Sequence, residues 1–224
     1  MSRSIDQIQR TPSWDLAKVN ESLEVASPQS IVYWALAQQI STIVSTSFGP
    51  QSAATLHLVS AVAPEVPVVF IDTGFNTAAT MEFCRQVTSQ LSFRLEVFRP
   101  RLAPIELLHQ FGVQHPSDLD DESHSRFTDI AKIEPFNRAI EVLAPRIWIT
   151  GIRASETEYR ANLQVASWDP RGILKIAPFM RATDAEILNY LSRHQLPVGP
   201  DNVDPTKQAP HLECGLHTRT LQGR

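Results

Sequence analysis

Cysteine is scarce in this chain, since only Cys84 and Cys214 occur among its 224 residues. The two lie far apart and neither has another cysteine nearby, so we predict no disulfide framework and no metal site. A Cys84–Cys214 disulfide is the less favoured alternative. Such sparse cysteine is typical of a reducing compartment, and we therefore predict a cytoplasmic protein.

An excess of positive charge and a long apolar run are also missing. The 20 Lys and Arg residues are outnumbered by 24 Asp and Glu residues, which gives a net charge of −4. We therefore predict neither a nucleic-acid partner nor binding to an anionic membrane. No apolar run is long enough to span a bilayer, and the polar residues 1–17 lack the apolar segment of a signal peptide. A hydrophobic content of 42% is typical of a soluble globular protein.

Helical and strand-like patterns alternate along the chain. Periodicity and capping residues predict helices at 28–40, 51–61, 79–91, 134–143 and 183–194. Apolar, β-rich runs predict strands at 42–45, 68–71, 93–98 and 146–152. This alternation predicts a doubly wound, mostly parallel α/β sheet with helices on both faces.

Two segments lack such patterns. Residues 116–126 are polar and acidic, and we predict a surface loop there. The residues from 197 onward are rich in Pro, Asp and Asn and show no periodicity. We therefore predict one α/β domain at 1–196, followed by an irregular, mobile tail at 197–224.

Three segments follow predicted strands, at the edge where doubly wound sheets bind their ligands. The first, residues 45–52, reads Ser-Thr-Ser-Phe-Gly-Pro-Gln-Ser and leads from a strand into a helix. Its hydroxyl groups, a glycine that permits a tight turn and a helix N-terminus suit an anion such as phosphate. A serine-rich turn that binds nothing is the alternative for this segment.

The second segment is Asp72-Thr73-Gly74, which lies where a nucleotide's base or ribose would rest if the first segment holds its phosphates. Capping of the next helix is the alternative. The third segment contains Gly151, Arg153 and Arg160. Guanidinium groups match tetrahedral oxyanions with paired hydrogen bonds, and Lys132 could join them. Surface salt bridges, or a solvated lysine, are the alternatives here.

The terminal motif Glu213-Cys214-Gly215-Leu216-His217 places one thiol beside a glycine on the tail. A thiolate near positive charge is a strong nucleophile, so Cys214 is a candidate catalytic residue. An inert terminal cysteine is the alternative. Cys84, on a predicted helix, is interpreted as a small buried hydrophobic residue.

Taken in order, these motifs resemble the 3'-phosphoadenylyl-sulfate (PAPS) reductase family, within the PP-loop group of adenine nucleotide α-hydrolase-like folds. The resemblance runs from about Trp34 to about His194 and includes the terminal motif. The matching motifs are Ser45–Gln51, Asp72–Gly74, Lys132–Ala139, Gly151–Arg153, Arg160–Leu163, Lys175–Pro178 and Glu213–His217.

The resemblance implies thiol-dependent reduction of PAPS to sulfite and adenosine 3',5'-bisphosphate, a step of sulfate assimilation and cysteine biosynthesis. Cys214 would form an S-sulfocysteine intermediate, with His217 as a second catalytic residue that positions or polarises groups near the thiolate. Packing of the tail is the alternative role for His217. Thioredoxin or glutaredoxin would be the external reductant, and a homodimer is implied. The implied substrate-binding residues are Ser45, Thr46, Ser47, Phe48, Gly49, Gln51, Asp72, Thr73, Gly74, Lys132, Gly151, Arg153 and Arg160.

The cysteine count separates two branches of that family. The adenylyl-sulfate (APS) reductase branch holds a [4Fe-4S] cluster with a Cys-Cys pair and a Cys-x-x-Cys motif. This chain has Phe127-Thr128 where the pair would fall, and two cysteines cannot supply four thiolates. We therefore predict no bound cofactor and no iron–sulfur cluster. The segment 197–212 is shortened relative to the family, which indicates a divergent member.

Two alternatives from other functional classes remain open at this point. One is a PP-loop ATP pyrophosphatase that activates a substrate by adenylylation. Against it, Phe48-Gly49-Pro50 replaces the loop residues expected of that class, and Cys214 would have no role in such an enzyme. The other is a non-catalytic nucleotide-binding paralogue, which the shortened tail would favour.

Overall fold

The computed structural model describes residues 14–200, 204, 206 and 216–217. Within that part, six strands form one sheet in the order β3-β2-β1-β4-β6-β5. The strands are β1 Thr42–Thr46, β2 Pro67–Ile71, β3 Arg94–Phe98, β4 Ile147–Thr150, β5 Ala166–Trp168 and β6 Leu174–Ile176. All neighbours are parallel except β5, which runs antiparallel to β6. The predicted doubly wound α/β architecture is therefore confirmed.

Helices connect these strands, and those predicted from the sequence lie within a few residues of their predicted ends. The α-helices are α1 Leu16–Leu23, α2 Pro28–Ala37, α3 Ser52–Ser60, α4 Ala78–Gln90, α5 Pro104–Phe111, α6 Asp121–Thr128, α7 Glu134–Leu143, α8 Glu158–Ala161 and α9 Asp184–Arg193. A 3-10 turn at Pro116–Asp118 and a π-helical segment at Asp129–Ile133 complete the set. Among these helices, none is long and apolar enough to cross a membrane.

Side chains alternate between the two faces of the sheet, as the pleat requires. Val44, Val68 and Phe70 contribute to a core shared with helices on one face, while Val69 and Trp148 contribute to a core on the other face. Helices α2, α3, α4 and α9 cover the first face, and α7 covers the second. Because both faces are covered, the central strands β2 and β4 are mainly apolar runs.

The prediction of a surface loop at 116–126 is wrong. The Asp120 carboxylate caps α6 by accepting a hydrogen bond from the Ser123 N–H at 2.8 Å. Acidic residues follow in the first turn, where they stabilise the positive end of the helix dipole. Phe127 then anchors α6 in a third hydrophobic cluster with α5, and it is fully buried. The acidic residues thus start a helix, and Phe127 packs that helix against the rest of the domain.

Candidate functional site

A cavity of about 690 Å³ opens at the C-terminal ends of β1, β2 and β4. Strand β1 pairs with β2 on one side and with β4 on the other, and this change of direction is where doubly wound sheets bind ligands. The cavity brings together the following predicted site residues: Ser45, Thr46, Ser47, Phe48, Gly49, Gln51, Thr73, Lys132, Gly151, Arg153, Arg160 and His217. Asp72 and Gly74 do not line it, and Cys214 lies outside the described residues.

The loop after β1 is held in a tight turn. The Thr46 hydroxyl accepts a hydrogen bond from the Phe48 N–H at 3.0 Å, and Phe48 has a φ of 51°, in the left-handed region. The Phe48 ring is 1% exposed and meets Phe70 edge-to-face, with ring centroids 5.0 Å apart. Burial of this ring therefore offsets the strained backbone.

Helix α3 begins at Ser52 directly after this loop, so its positive N-terminal end faces the cavity. Pro50 lies two residues before the first residue of the helix. Buried oxygens of Gln51 (Oε1) and Ser52 (Oγ) have no hydrogen-bond partner among the described residues. Buried polar atoms are normally satisfied, so these two are available to a ligand.

Of the Asp72-Thr73-Gly74 segment, only Thr73 lines the cavity. The Asp72 carboxylate closes a turn by accepting from the Gly74 N–H at 3.1 Å, and it forms an ion pair with Arg99 at 2.9 Å. Gly74 has a φ of 78°, and an added Cβ would lie 2.4 Å from the Pro104 Cγ. Asp72 and Gly74 therefore shape the turn that presents Thr73.

The two arginines are mostly buried, with side chains 12% and 11% exposed. Arg153 donates from Nη1 to the Asp184 Oδ1 at 2.6 Å, and Arg160 pairs with Glu156. Glu156 also lies 3.7 Å from the Arg153 Nη2 and accepts from its backbone N–H at 2.9 Å. Hydrogen bonds from Gln51 and then Arg153 lower the pKa of Asp184. Each of the two arginines thus has a carboxylate counter-ion among the residues that line the cavity.

Lys132 projects from the π-helical segment, a type of irregularity that often accompanies functional sites. It is 7% exposed and forms an ion pair with Asp204. Burial raises the pKa of Asp204, but the Lys132 charge and hydrogen bonds from Lys132 and Thr206 outweigh burial and hold it below its usual range. Asp204 lies 72 positions further along the chain, so only the tertiary fold creates this pair.

Two tail residues, Leu216 and His217, also line the cavity. The His217 ring stacks on Trp148 with centroids 4.8 Å apart and planes 6° apart. The Leu216 carbonyl accepts a hydrogen bond from the Arg171 Nη1 at 3.3 Å. The residues just after Cys214 in the sequence are thus seated beside the loop after β1.

Cys84 has the structural role predicted for it. Its thiol is free and buried on α4, and burial raises its pKa. A thiol with a raised pKa is a poor nucleophile at neutral pH. The structure therefore assigns Cys84 to the core and leaves it outside the cavity lining.

Sequence reasoning missed the carboxylates of this site. Glu156 follows Arg153 by three residues and precedes Arg160 by four, a spacing at which side chains meet on a helical turn, and this signal was available. Asp184 and Asp204 reach their partners through the fold, and no local pattern marks them. The role of Trp148 was also missed, because nothing in the sequence indicates that a tail histidine stacks on it.

Comparison with known proteins gives a consistent result. Residues 41–200 match the family described as the phosphoadenosine phosphosulfate reductase domain. The phosphoadenosine 5'-phosphosulfate reductase of Synechocystis sp. is 35% identical over 188 residues, which are 83% of this chain and 74% of that protein. The Serratia proteamaculans protein of the same name is 36% identical over 186 residues, covering 83% of this chain and 75% of that protein.

Solved structures share the fold. PAPS reductase from Candida auris, in a phosphate complex, superimposes with a TM-score of 0.73 at 24% identity, over 84% of this chain and 91% of that one. The FMN adenylyltransferase of Candida glabrata, with FAD and pyrophosphate, gives a TM-score of 0.55 at 14% identity, over 82% of this chain and 59% of that one. At these identities the likeness describes architecture alone.

Proposed function

Because this chain belongs to the phosphoadenosine phosphosulfate reductase domain family, we propose that it reduces 3'-phosphoadenylyl sulfate to sulfite and adenosine 3',5'-bisphosphate. The relatives that carry this name cover most of the chain, which supports the same activity here. The proposal includes Cys214 as the nucleophile and a dithiol protein as the source of electrons.

One observation carries the proposal: Leu216 and His217 line the same cavity as the loop after β1 and the two arginines. Cys214 precedes Leu216 by two residues, and two residues of chain span about 7 Å at most. This short tether supports Cys214 as the nucleophile for a ligand in the cavity. An anion-binding site with a tethered nucleophile suits attack on a sulfonucleotide.

The substrate's anionic groups would be held by two kinds of donor. Arg153, Arg160 and Lys132 supply charge-assisted hydrogen bonds, and the N-terminal end of α3 supplies a favourable dipole. Thr73 lies on the opposite side of the β1 loop, where the nucleoside would rest. These cations would also favour the thiolate of Cys214, because positive charge stabilises the ionised form.

The chemistry proceeds in three displacements at sulfur. The Cys214 thiolate attacks the substrate's sulfur, an S–S bond forms, and the S–O bond breaks with its electron pair remaining on the phosphate. S-sulfocysteine and adenosine 3',5'-bisphosphate result. A dithiol then attacks the Cys214 sulfur, which forms a mixed disulfide and releases sulfite with the electron pair of the broken bond. The second thiol of the carrier resolves the mixed disulfide, restores the Cys214 thiolate and leaves the carrier oxidised.

The remaining parts of the proposal concern its setting. Thioredoxin or glutaredoxin would serve as the dithiol, since one protein cysteine needs a second thiol from a partner. No bound cofactor is required by these displacements. A cytoplasmic location, where thiols stay reduced, and a homodimeric state complete the proposal.

The test is sulfite production from PAPS, and separately from APS, with reduced thioredoxin. Wild-type protein is expected to release sulfite, whereas Cys214→Ser should release none and still bind adenosine 3',5'-bisphosphate. Cys84→Ala, a change in the core away from the cavity, is the matched cysteine control and should remain active. Sulfite production by Cys214→Ser would overturn the proposal, and pyrophosphate release from ATP instead would point to an adenylylating enzyme.

A further inference from the structure

The Leu216–His217 pair is held by contacts to three separate parts of the fold. Its histidine ring stacks on Trp148 of β4, and Tyr159 of α8 donates a hydrogen bond to the His217 carbonyl at 3.5 Å. Arg171, in the turn between β5 and β6, donates to the Leu216 carbonyl at 3.3 Å. The Leu216 side chain packs against the cluster on the α7 face of the sheet. His217 is consequently only 7% exposed.

The Trp148 ring is fixed in place by the sheet itself. It is fully buried, packs on Phe136 with centroids 4.8 Å apart, and lies 5.9 Å from the Lys175 ammonium. Its indole N–H donates to the Ser45 hydroxyl at 2.7 Å, at the start of the loop after β1. One ring therefore contacts both the loop and the tail, and its orientation depends on the core of the domain.

The Arg171 guanidinium is equally constrained. It forms an ion pair with Asp169 at 3.0 Å, and the Asp169 side chain is completely buried. A second hydrogen bond of 2.8 Å joins it to Asn137, and its Cζ atom lies 5.1 Å from the Phe136 ring centroid. A guanidinium held in this way loses little further freedom when it donates to a tail carbonyl.

We propose that Trp148 and Arg171 are positioning residues that dock the segment after Cys214 in the cavity, with His217 acting through its stacked ring. The inference rests on the proposed function for its consequence, which is the placement of the Cys214 sulfur near the substrate. It assigns His217 to docking, in place of the catalytic role beside the thiolate that the resemblance implied.

Two changes at one position separate docking from proton chemistry. His217→Phe keeps a flat ring to stack on Trp148 and removes both ring nitrogens, whereas His217→Ala removes the ring. We expect His217→Ala to slow the single-turnover transfer of the sulfonate from PAPS to Cys214 by about 3- to 10-fold, the range of one aromatic pair. His217→Phe should restore the rate and leave the pH profile of the transfer unchanged. Equal loss in both variants would overturn the docking role.

A second readout needs no turnover. Trypsin can cleave after Arg219 only when several flanking residues enter the protease, so Leu216 and His217 must first leave the cavity. The cleavage rate then reports the undocked population. His217→Ala should be cleaved about 3- to 10-fold faster than wild type, and His217→Phe should not. An unchanged cleavage rate in His217→Ala would overturn the proposed docking of this segment, whether or not the protein proves to be a reductase.

Arg171 is tested by Arg171→Lys, because removing its charge would leave the buried Asp169 carboxylate unpaired and could unfold the domain. Loss of the planar donor should increase cleavage after Arg219 by up to about tenfold. Arg181→Lys is the matched control, since Arg181 also pairs with a carboxylate, Glu24, and donates to a backbone carbonyl, but lies outside the cavity lining. Equal acceleration in both lysine variants would contradict a specific role for Arg171.

Discussion

The two walls of the cavity offer a ligand different kinds of donor. The loop wall, residues 45–52, offers hydroxyls, an amide and a helix N-terminus, and it carries no charged side chain. The arginine wall offers Arg153 and Arg160, each paired with a carboxylate inside the cavity. The loop wall is thus shaped by local turn geometry and burial, and is ready before a ligand arrives. In the arginine wall, the carboxylates of Asp184 and Glu156 already contact the two guanidinium groups and would compete with a ligand's oxygens.

The largest expected effect concerns the loop wall, whose shape depends on the buried Phe48 ring. Phe48→Ala should lower the free energy of unfolding by about 3–5 kcal/mol, because it removes a fully buried aromatic ring. Urea denaturation measures the loss, and Phe48→Leu, which refills most of the space, should lose clearly less. A loss below 1 kcal/mol, on the order of a surface change, would show that the loop holds its shape without this ring.

Removing one cation from the arginine wall should act on binding rather than on stability. Arg160→Met keeps much of the stem and removes the charge, and the affinity for adenosine 3',5'-bisphosphate should fall by about 10²-fold, as for charge-assisted hydrogen bonds. Calorimetry at two salt concentrations measures this, and the salt dependence should become weaker. Arg181→Met, outside the cavity lining, should bind like wild type. Unchanged affinity in Arg160→Met would show that the Arg160 charge does not contribute to ligand binding.

Removing a counter-ion should have the opposite sign and a smaller size. Glu156→Gln keeps an oxygen that can accept from the Arg153 N–H but removes the charge that both arginines share. Inorganic sulfate should then bind about 3- to 10-fold more tightly, a shift typical of a partly solvated ion pair. Ligand-induced thermal stabilisation measures it. Weaker sulfate binding would mean that Glu156 chiefly positions the arginines.

The smallest expected effect is the loss of the stabilising contribution of Asp184, on the arginine wall, at acid pH. The pKa of Asp184 is lowered in the folded protein by hydrogen bonds from Gln51 and Arg153. Its stabilising contribution is therefore fully present above its unfolded value, about 3.9, and is lost as pH falls through the lower folded pKa. The Tm difference between wild type and Asp184→Asn should be present at neutral pH and shrink below about pH 4. A difference that stays constant with pH would contradict this ion pair.

Sequence patterns predict the framework of this protein well, because its order depends on local signals. The apolar run at Val68–Phe70 and the cap at Thr183 locate a strand and a helix within a few residues. Local reasoning failed where one residue carries the packing, as with Phe127, whose burial turns an acidic stretch into α6. It also missed the short antiparallel β5, whose three residues are too few to show a period.

The candidate site likewise has one part that local sequence predicts and another part that depends on the fold. The loop wall is continuous in sequence, so its motif could be read directly from residues 45–52. The contacts that characterise the other wall and the tail join distant positions, as in Lys132–Asp204 and Trp148–His217. Such pairs exist only after the chain has folded. Residue types therefore indicated the cations, whereas their carboxylate partners required the structure.

The most direct test of the central claim is the mass of the protein after one turnover. Wild-type protein mixed with PAPS, without a reductant, should gain a single sulfonate group on Cys214, and a dithiol should then release that group as sulfite. An unmodified Cys214 in protein that nonetheless produces sulfite when the dithiol is present would contradict the covalent mechanism.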